Sequence, residues 1–122
     1  MKKLKCANGK TYEVCNETVC YPSGSANVRN VLELWMPESA MAFDEFEALC
    51  KDGQAMGKVY LMDASGAEIA AFEHYDTPAE IAKKRFETYD PLTGQAAGEM
   101  RLFARMEQLT CTERKLAQLG LM

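Results

Sequence analysis

The sequence predicts an α+β fold, an antiparallel and hairpin-rich sheet with one short helix near residues 43–50 and a C-terminal helix near 111–119. Three features support this prediction. Apolar and polar residues alternate over 28–36 and 99–108, the period of a half-buried strand. The spacing of apolar residues becomes helical in the two helical segments. Turn residues such as Asn8-Gly9 separate short segments rich in β-branched and aromatic residues.

The first strands are delimited by turn residues. Asn8-Gly9 supplies the positive φ that a type I′ turn needs, which predicts a hairpin within residues 4–15. The stretch 22–27 contains Pro, Gly and two Ser, and a loop is expected there. The strand over 28–36 ends at Pro37, because proline has no N–H to donate to a neighbouring strand.

A second hairpin is predicted after the first helix. Residues 58–62 and 68–75 are the two strands, and Asp63-Ala-Ser-Gly66 is the connecting loop. The following stretch fits two patterns. Thr77-Pro78 with Glu80 resembles the start of a helix, whereas alternation favours a strand over 82–89.

The C-terminal third changes period once more. A strand over 82–89 would pair with the strand over 99–108. Thr110 and Glu113 form a capping box, which predicts the start of a helix. Gly120 follows the last apolar residue of that helix and is expected to end it.

Length and composition indicate one globular domain over residues 1–122, with 48% hydrophobic and 26% charged residues. No apolar run approaches the ~20 residues of a membrane span. The basic first residues have no apolar stretch behind them, so no secretory signal is expected. The five cysteines have no Cys-x-x-Cys spacing, which predicts free thiols in a reducing cytoplasm. Neither a metal nor another cofactor is expected, because paired ligand spacing and phosphate-loop patterns are missing.

Catalytic groups are also not predicted. Nucleophilic catalysis by Cys or Ser needs a nearby base, and His74 is the single histidine, expected on a surface or edge. Asp44, Glu45 and Glu47 crowd the first helix, but neighbouring helical residues point in different directions. The sequence therefore predicts a protein that is not an enzyme.

Charge is distributed unevenly. The net charge of −4 divides into +3 for residues 1–30, −9 for 31–80 and +2 for 81–122. The acidic middle is either a solvated surface or a docking surface for a basic partner. A small basic patch of Lys83, Arg85, Arg101 and Arg105 is expected on one face if the last two strands pair. Nucleic-acid binding is not favoured, because such affinity depends on neutralising phosphates and the chain is acidic.

Two aromatic residues lie opposite the aliphatic stripe of their strands. Trp35 and Phe103 are predicted on the second face of the sheet. Either that face is covered by the C-terminal helix while the helix at 43–50 covers the first, or it is an aromatic and methionine-rich patch for another protein. The predicted edge strands also make a homodimer possible, and the sequence leaves monomer and dimer open.

Three segments carry a resemblance that spans most of the chain. They are LKCANGKTYEV (4–14), NVLEL (30–34) before FDEFEAL (43–49), and MEQLTCTERKL (106–116). In them the chain resembles small phage and prophage proteins of Gram-positive gut bacteria, encoded among tail and late structural genes. The resemblance implies a non-enzymatic protein-interaction module, a virion or tail-associated accessory, in the host cytoplasm or incorporated in the virion.

The alternative is an inhibitor of a host antiviral defence system, similar to anti-CRISPR proteins, that acts through the acidic surface. In both cases the partner is a protein. The residues expected to contact it are Trp35, Asp44, Glu45, Glu47, Arg101, Phe103 and Arg105.

Overall fold

The computed structural model describes residues 1–22 and 28–120, so residues 23–27 of the predicted loop lie outside the described residues. The strands in the described part are β1 (Lys2–Lys5), β2 (Thr11–Val14), β3 (Val19–Tyr21), β4 (Asn30–Pro37), β5 (Lys58–Met62), β6 (Glu68–Glu73), β7 (Thr77–Tyr89) and β8 (Ala96–Gln108). The helices are α1 (Phe43–Lys51) and α2 (Cys111–Gln118), and a 3₁₀ turn covers Glu38–Ala40. The α+β class and both predicted helices are confirmed.

The strands form two antiparallel sheets instead of one. The first sheet has the order β2-β1-β5-β6 and the second has the order β3-β4-β8-β7. Both predicted hairpins are present, since β1 pairs with β2 across Gly9, which has φ +83°, and β5 pairs with β6. Glycine occupies this turn because a side chain would be strained at positive φ.

The core lies between the two sheets and α1. The strand over 28–36 was expected to turn its aliphatic stripe inward, and Leu32, Leu34 and Met36 are fully buried. The other residues of this core cluster with no exposed surface come from both sheets, from α1 and from the connection between α1 and β5: Leu4, Val14, Phe46, Cys50, Met56, Val59, Leu102, Ala104 and Met106. One continuous apolar interior therefore joins the two sheets.

Residues 77–89, for which the sequence fitted both a helix and a strand, form a strand. The helical interpretation of Thr77-Pro78 is wrong. β7 starts at Thr77 and pairs with β8 along its length, from Thr77 opposite Glu107 to Tyr89 opposite Ala96. Pro78 is tolerated because β7 is an edge strand, and the register shifts between Pro78 and Glu80. Cross-strand pairing with β8 outweighs the local helix signal.

α2 is attached by polar contacts. Its capping box is present, with Thr110 Oγ1 accepting from Glu113 N–H and Glu113 Oε1 accepting from Thr110 N–H. Arg29 ion-pairs with Glu113 and, at 2.9 Å, with Glu107 Oε1 of β8. No residue of α2 is buried, so the expectation that this helix covers the second face of the sheet is wrong. Within residues 1–22 and 28–120, neither helix is long and apolar enough to cross a membrane.

Candidate functional site

The end of the β7–β8 hairpin extends beyond the core. We call residues 87–100 the distal arm, and every one of them is exposed. The distal arm carries apolar side chains: Leu92 is 94% exposed, Tyr89 68% and Met100 43%. A hairpin this exposed gains little from burial, so it presents side chains without contributing to the core.

The turn at the tip of the distal arm is well hydrogen-bonded. Asp90 N–H donates to Gln95 O at 2.9 Å, and Gly94 N–H donates to Asp90 O at 2.8 Å. Asp90 Oδ1 accepts from Leu92 N–H at 2.8 Å, and hydrogen bonds of this kind lower the pKa of Asp90. Gly94 has φ +70°, a conformation that glycine adopts without strain. Leu92 is therefore held outward by a defined turn.

An aromatic cluster occupies the outer face of the second sheet, opposite the core. The Trp35 ring lies 4.5 Å from the Phe103 ring and 5.2 Å from the Phe86 ring, the latter edge to face. We call Trp35, Phe86 and Phe103 the aromatic face. Phe103 is only 3% exposed, because its neighbours cover it. The outer face is thus covered by its own side chains, which neither alternative from the sequence foresaw.

Arg101 anchors this face. It is 7% exposed, and its guanidinium lies 4.1 Å from the centre of the Phe86 ring, a cation–π contact. Arg101 Nη2 lies 2.5 Å from Glu99 Oε1. Arg101 Nη1 lies 3.0 Å from Glu17 Oε2, although the angle is not that of a hydrogen bond. The two carboxylates compensate the charge of this buried cation.

The other cations of the outer face are also paired. Lys84 Nζ lies 4.3 Å from the centre of the Phe103 ring and 2.7 Å from Glu80 Oε1. Arg105 Nε lies 3.7 Å from Glu107 Oε2. These pairs leave little uncompensated positive charge on the face, which disfavours binding to phosphates.

The predicted basic patch does not form on one face. The register places Lys84 opposite Arg101, so Lys83 and Arg85 point to the other side of the sheet from Arg101 and Arg105. The expectation that these four cations share a face is therefore wrong. A shift of one residue in register exchanges the two faces of a strand, and no local pattern of residues predicts that register.

The acidic candidates lie elsewhere. α1 packs on the core side of the second sheet, and Asp44 and Glu45 are exposed on it. Glu45 lines a cleft with Lys10 and Tyr12 of the first hairpin. Glu47 ion-pairs with Lys51 at 3.8 Å beside the start of β7. The structure thus brings Trp35, Arg101 and Phe103 together, with Arg105 further along the same face, and separates them from the acids of α1.

Two of the buried thiols, Cys6 and Cys50, lie in environments that favour the protonated form. Burial raises the pKa of Cys6 to about 11 and the pKa of Cys50 to about 12. Cys20 Sγ is hydrogen-bonded to Tyr75 Oη at 3.3 Å, and burial together with this bond raises the pKa of Tyr75 to about 12. All five cysteines are free.

His74 follows β6, with its side chain exposed and Nε2 3.9 Å from Glu73 Oε2. Its backbone has φ +65°, and its N–H donates to Gly57 O at 2.8 Å. Over the described ranges 1–22 and 28–120, no three His, Cys, Asp or Glu side chains converge as metal ligands.

The residues that the sequence predicts to contact a partner do not include Glu17, Phe86, Tyr89 and Leu92. The alternation of residues 82–89 contained a usable signal, because it places Phe86 on the same side as Lys84 once that stretch is a strand. Glu17 had no such signal, since it reaches Arg101 from the connection between β2 and β3.

No family model matches this chain, and no curated protein or solved structure is significantly similar to it. The exposed distal arm is the feature of the described residues that bears most directly on function.

Proposed function

We propose that this protein is a non-enzymatic protein-interaction module of phage or prophage origin, an accessory of the virion or tail. It is made in the cytoplasm of the bacterial host and binds a structural protein of the particle through its distal arm. The phage context comes from the sequence resemblance in residues 4–14, 30–34, 43–49 and 106–116.

The distal arm is the single observation that carries the proposal. Scattered exposed apolar residues are common on any protein. Here Tyr89 and Leu92 instead lie on one projecting hairpin, and a hydrogen-bonded turn fixes Leu92 outward at 94% exposure. A hairpin whose turn is already hydrogen-bonded loses less conformational entropy on binding than an unstructured loop, so its exposed apolar side chains are well suited to insert into a partner.

A protein partner fits this surface better than a nucleic acid. Lys84, Arg101 and Arg105 already have carboxylates within 4 Å, at Glu80, Glu99 and Glu107 respectively. Phosphate binding would need these cations to exchange their partners, whereas apolar contact at Leu92 needs no such exchange.

The proposal is tested by following the tagged chain in particles. The chain is expressed from its own phage or prophage, and particles are purified on a density gradient and probed for the tag. We expect the wild-type chain to sediment with the particles, also at high salt, because apolar contacts are not screened. Leu92→Ser is expected to lose most of this association without losing its fold, because Leu92 has almost no contacts of its own to lose.

Ile69→Ser is the matched control, since Ile69 is also an exposed aliphatic residue but lies on β6. It is expected to remain with the particles. A wild-type chain absent from particles contradicts the proposal, as does a Leu92→Ser variant that associates normally. Salt-sensitive capture of a basic host defence protein, abolished by Asp44→Lys together with Glu45→Lys, would also contradict it and would indicate the inhibitor instead.

A further inference from the structure

Among residues 1–22 and 28–120, no strand pairs with the outer edge of β7, which is therefore a free edge along the hairpin. β7 is the last strand of the second sheet, with β8 on its other side. Its register with β8 has no irregularity between Glu80 and Tyr89. Lys83, Arg85 and Glu87 are exposed on this stretch, beyond the region where α1 approaches β7. An edge strand of this length is a template for pairing with another strand.

The hydrogen bonds of the turn show which residues of β7 direct their backbone N–H and C=O groups to the free edge. Asp90 N–H donates to Gln95 O, so Asp90 directs its backbone groups toward β8. Backbone groups alternate in direction along an antiparallel strand. Thr88 and Phe86 therefore also face β8. The residues that turn N–H and C=O to the free edge are Lys83, Arg85, Glu87 and Tyr89.

The side-chain charges discriminate between registers when two β7 edges meet antiparallel about a two-fold axis. If the axis passes through Lys83, Arg85 or Glu87, that residue lies opposite its own copy, so two like charges meet. An axis through Lys84 places Lys83 opposite Arg85. An axis through Phe86 places Arg85 of each copy opposite Glu87 of the other, so both cross-strand pairs are of opposite charge.

Axes nearer either end of β7, such as those through Ala82 or Thr88, also avoid like charges, but the backbone they pair is interrupted. An axis at Thr88 or beyond brings the turn residues from Asp90 onward into the paired segment. An axis through Ala82 places Pro78 opposite Phe86, and Pro78 has no N–H and adjoins the register shift near Glu80. The charges and the backbone together therefore favour pairing centred on Phe86.

We propose that a second copy of this chain binds the β7 edge in the register centred on Phe86. The second sheet of each copy then becomes half of one eight-stranded sheet. Arg85 and Glu87, already 3.3 Å apart within one chain, then also pair between chains. Phe86 meets Phe86 of the second copy in a pair without mutual hydrogen bonds, with Cα atoms about 4.5 Å apart. The aromatic face thereby continues across the axis, and the turn at Asp90 stays outside the paired segment. This dimer goes beyond the proposed function, because it uses the edge of β7 and leaves the tip of the distal arm for the other partner.

Charge reversal tests the register. Sedimentation equilibrium is expected to show the wild-type mass rising with concentration from 13.6 kDa toward twice that value. Glu87→Arg or Arg85→Glu alone makes both cross-strand pairs repulsive and is expected to weaken the dimer about tenfold. The double variant Arg85→Glu with Glu87→Arg restores opposite pairs and is expected to recover the dimer. Glu73→Arg, at the edge strand β6, is the control and leaves it unchanged.

A cross-link tests the geometry independently. In a Cys111→Ser background, Phe86→Cys is expected to form a disulfide-linked dimer on mild oxidation, because the two Cα atoms lie within disulfide range. Lys84→Cys on the same face is the control, since the two copies of residue 84 lie about 13 Å apart in this register. Circular dichroism of each variant checks that the chain remains folded.

Several results would overturn this inference: a wild type that stays monomeric at every concentration, a double charge swap that does not recover the dimer, or cross-linking through Lys84→Cys but not Phe86→Cys. Loss of the dimer and loss of the proposed function are separable. A monomeric wild type that still sediments with particles refutes the dimer alone, whereas a dimer that never joins particles refutes the accessory role alone.

Discussion

The β7–β8 hairpin has two halves that differ in what holds them. In the proximal half, residues 77–86 and 101–108, Leu102 and Met106 are fully buried in the core and Phe103 is buried within the aromatic face. In the distal arm, residues 87–100, every residue is exposed and the turn is held by its own hydrogen bonds. One continuous hairpin thus anchors itself at its base and leaves its end available for contact. The proximal half thus provides the buried contacts, and the interaction that we propose is assigned to a different stretch of the same two strands.

The largest difference is expected between two leucine truncations in this hairpin. Leu102→Ala removes a fully buried side chain and is expected to cost about 3–5 kcal/mol in the free energy of unfolding. Leu92→Ala, at 94% exposure, is expected to change it by less than about 0.5 kcal/mol. Urea denaturation of both variants checks this. Similar losses from the two variants would mean that the distal arm packs against the body.

Replacing Arg101, the buried cation at the boundary between the two halves, is expected to give the next largest loss in the free energy of unfolding. Arg101→Met removes the partner of Glu17 and Glu99 and the contact with Phe86, and we expect a loss of about 2 kcal/mol, since both carboxylates are partly solvated. Arg105→Met is the control, because Arg105 is exposed with a single ion contact of 3.7 Å, and its loss is expected below about 0.5 kcal/mol. Denaturation curves distinguish the two; equal losses would refute the anchoring role of Arg101.

A substitution at the tip of the distal arm is expected to destabilise only the turn, and by less than the changes at Leu102 or Arg101. Gly94→Ala forces a side chain onto a backbone with φ +70° and is expected to destabilise the turn by about 1 kcal/mol. The amides of the distal arm are then expected to exchange faster while core amides do not change. Gly53→Ala, where a Cβ meets no atom within 4 Å, is the control. Faster exchange throughout the core would show that the turn supports the whole domain.

The last prediction concerns α2, a second segment without buried residues. Arg29, with the Thr110 N–H, lowers the pKa of Glu113 to about 2 from its ordinary value of 4.5. A lowered carboxyl pKa stabilises the folded contact at pH values above the ordinary pKa, and this contribution is lost as pH falls from about 4.5 to about 2. We expect the NMR signals of α2 to shift over that range before those of the core. In Glu113→Gln the shift should be absent; if it persists, another group controls α2.

Local signals in the sequence identified much of this fold. Asn8-Gly9, the alternation in β4 and the capping box at Thr110 each depend on neighbours in the chain, and each predicted its element. The division into two sheets depends on which distant strands pair, which no local pattern encodes. The faces of Lys83 and Arg85 could not be predicted for the same reason, because the register of β7 on β8 sets them.

Only part of the candidate site could be predicted from local patterns in the sequence. Trp35 and Phe103 were placed on one face, since each lies opposite an aliphatic stripe. Phe86, which completes their cluster, became visible only once residues 77–89 were a strand. Leu92 stands out through its exposure, a property that depends on how far the hairpin extends beyond the core.

Shortening the hairpin tests the central claim most directly, that the distal arm serves contact and the proximal half serves stability. Phe86 and Glu99 are paired, so an Asn-Gly turn joining them would replace residues 87–98 with a two-residue hairpin loop. The urea midpoint and the association with purified particles are measured on this variant. We predict an unchanged midpoint and lost association. A shortened chain that unfolds at much lower urea, or that still joins the particles, would contradict the claim.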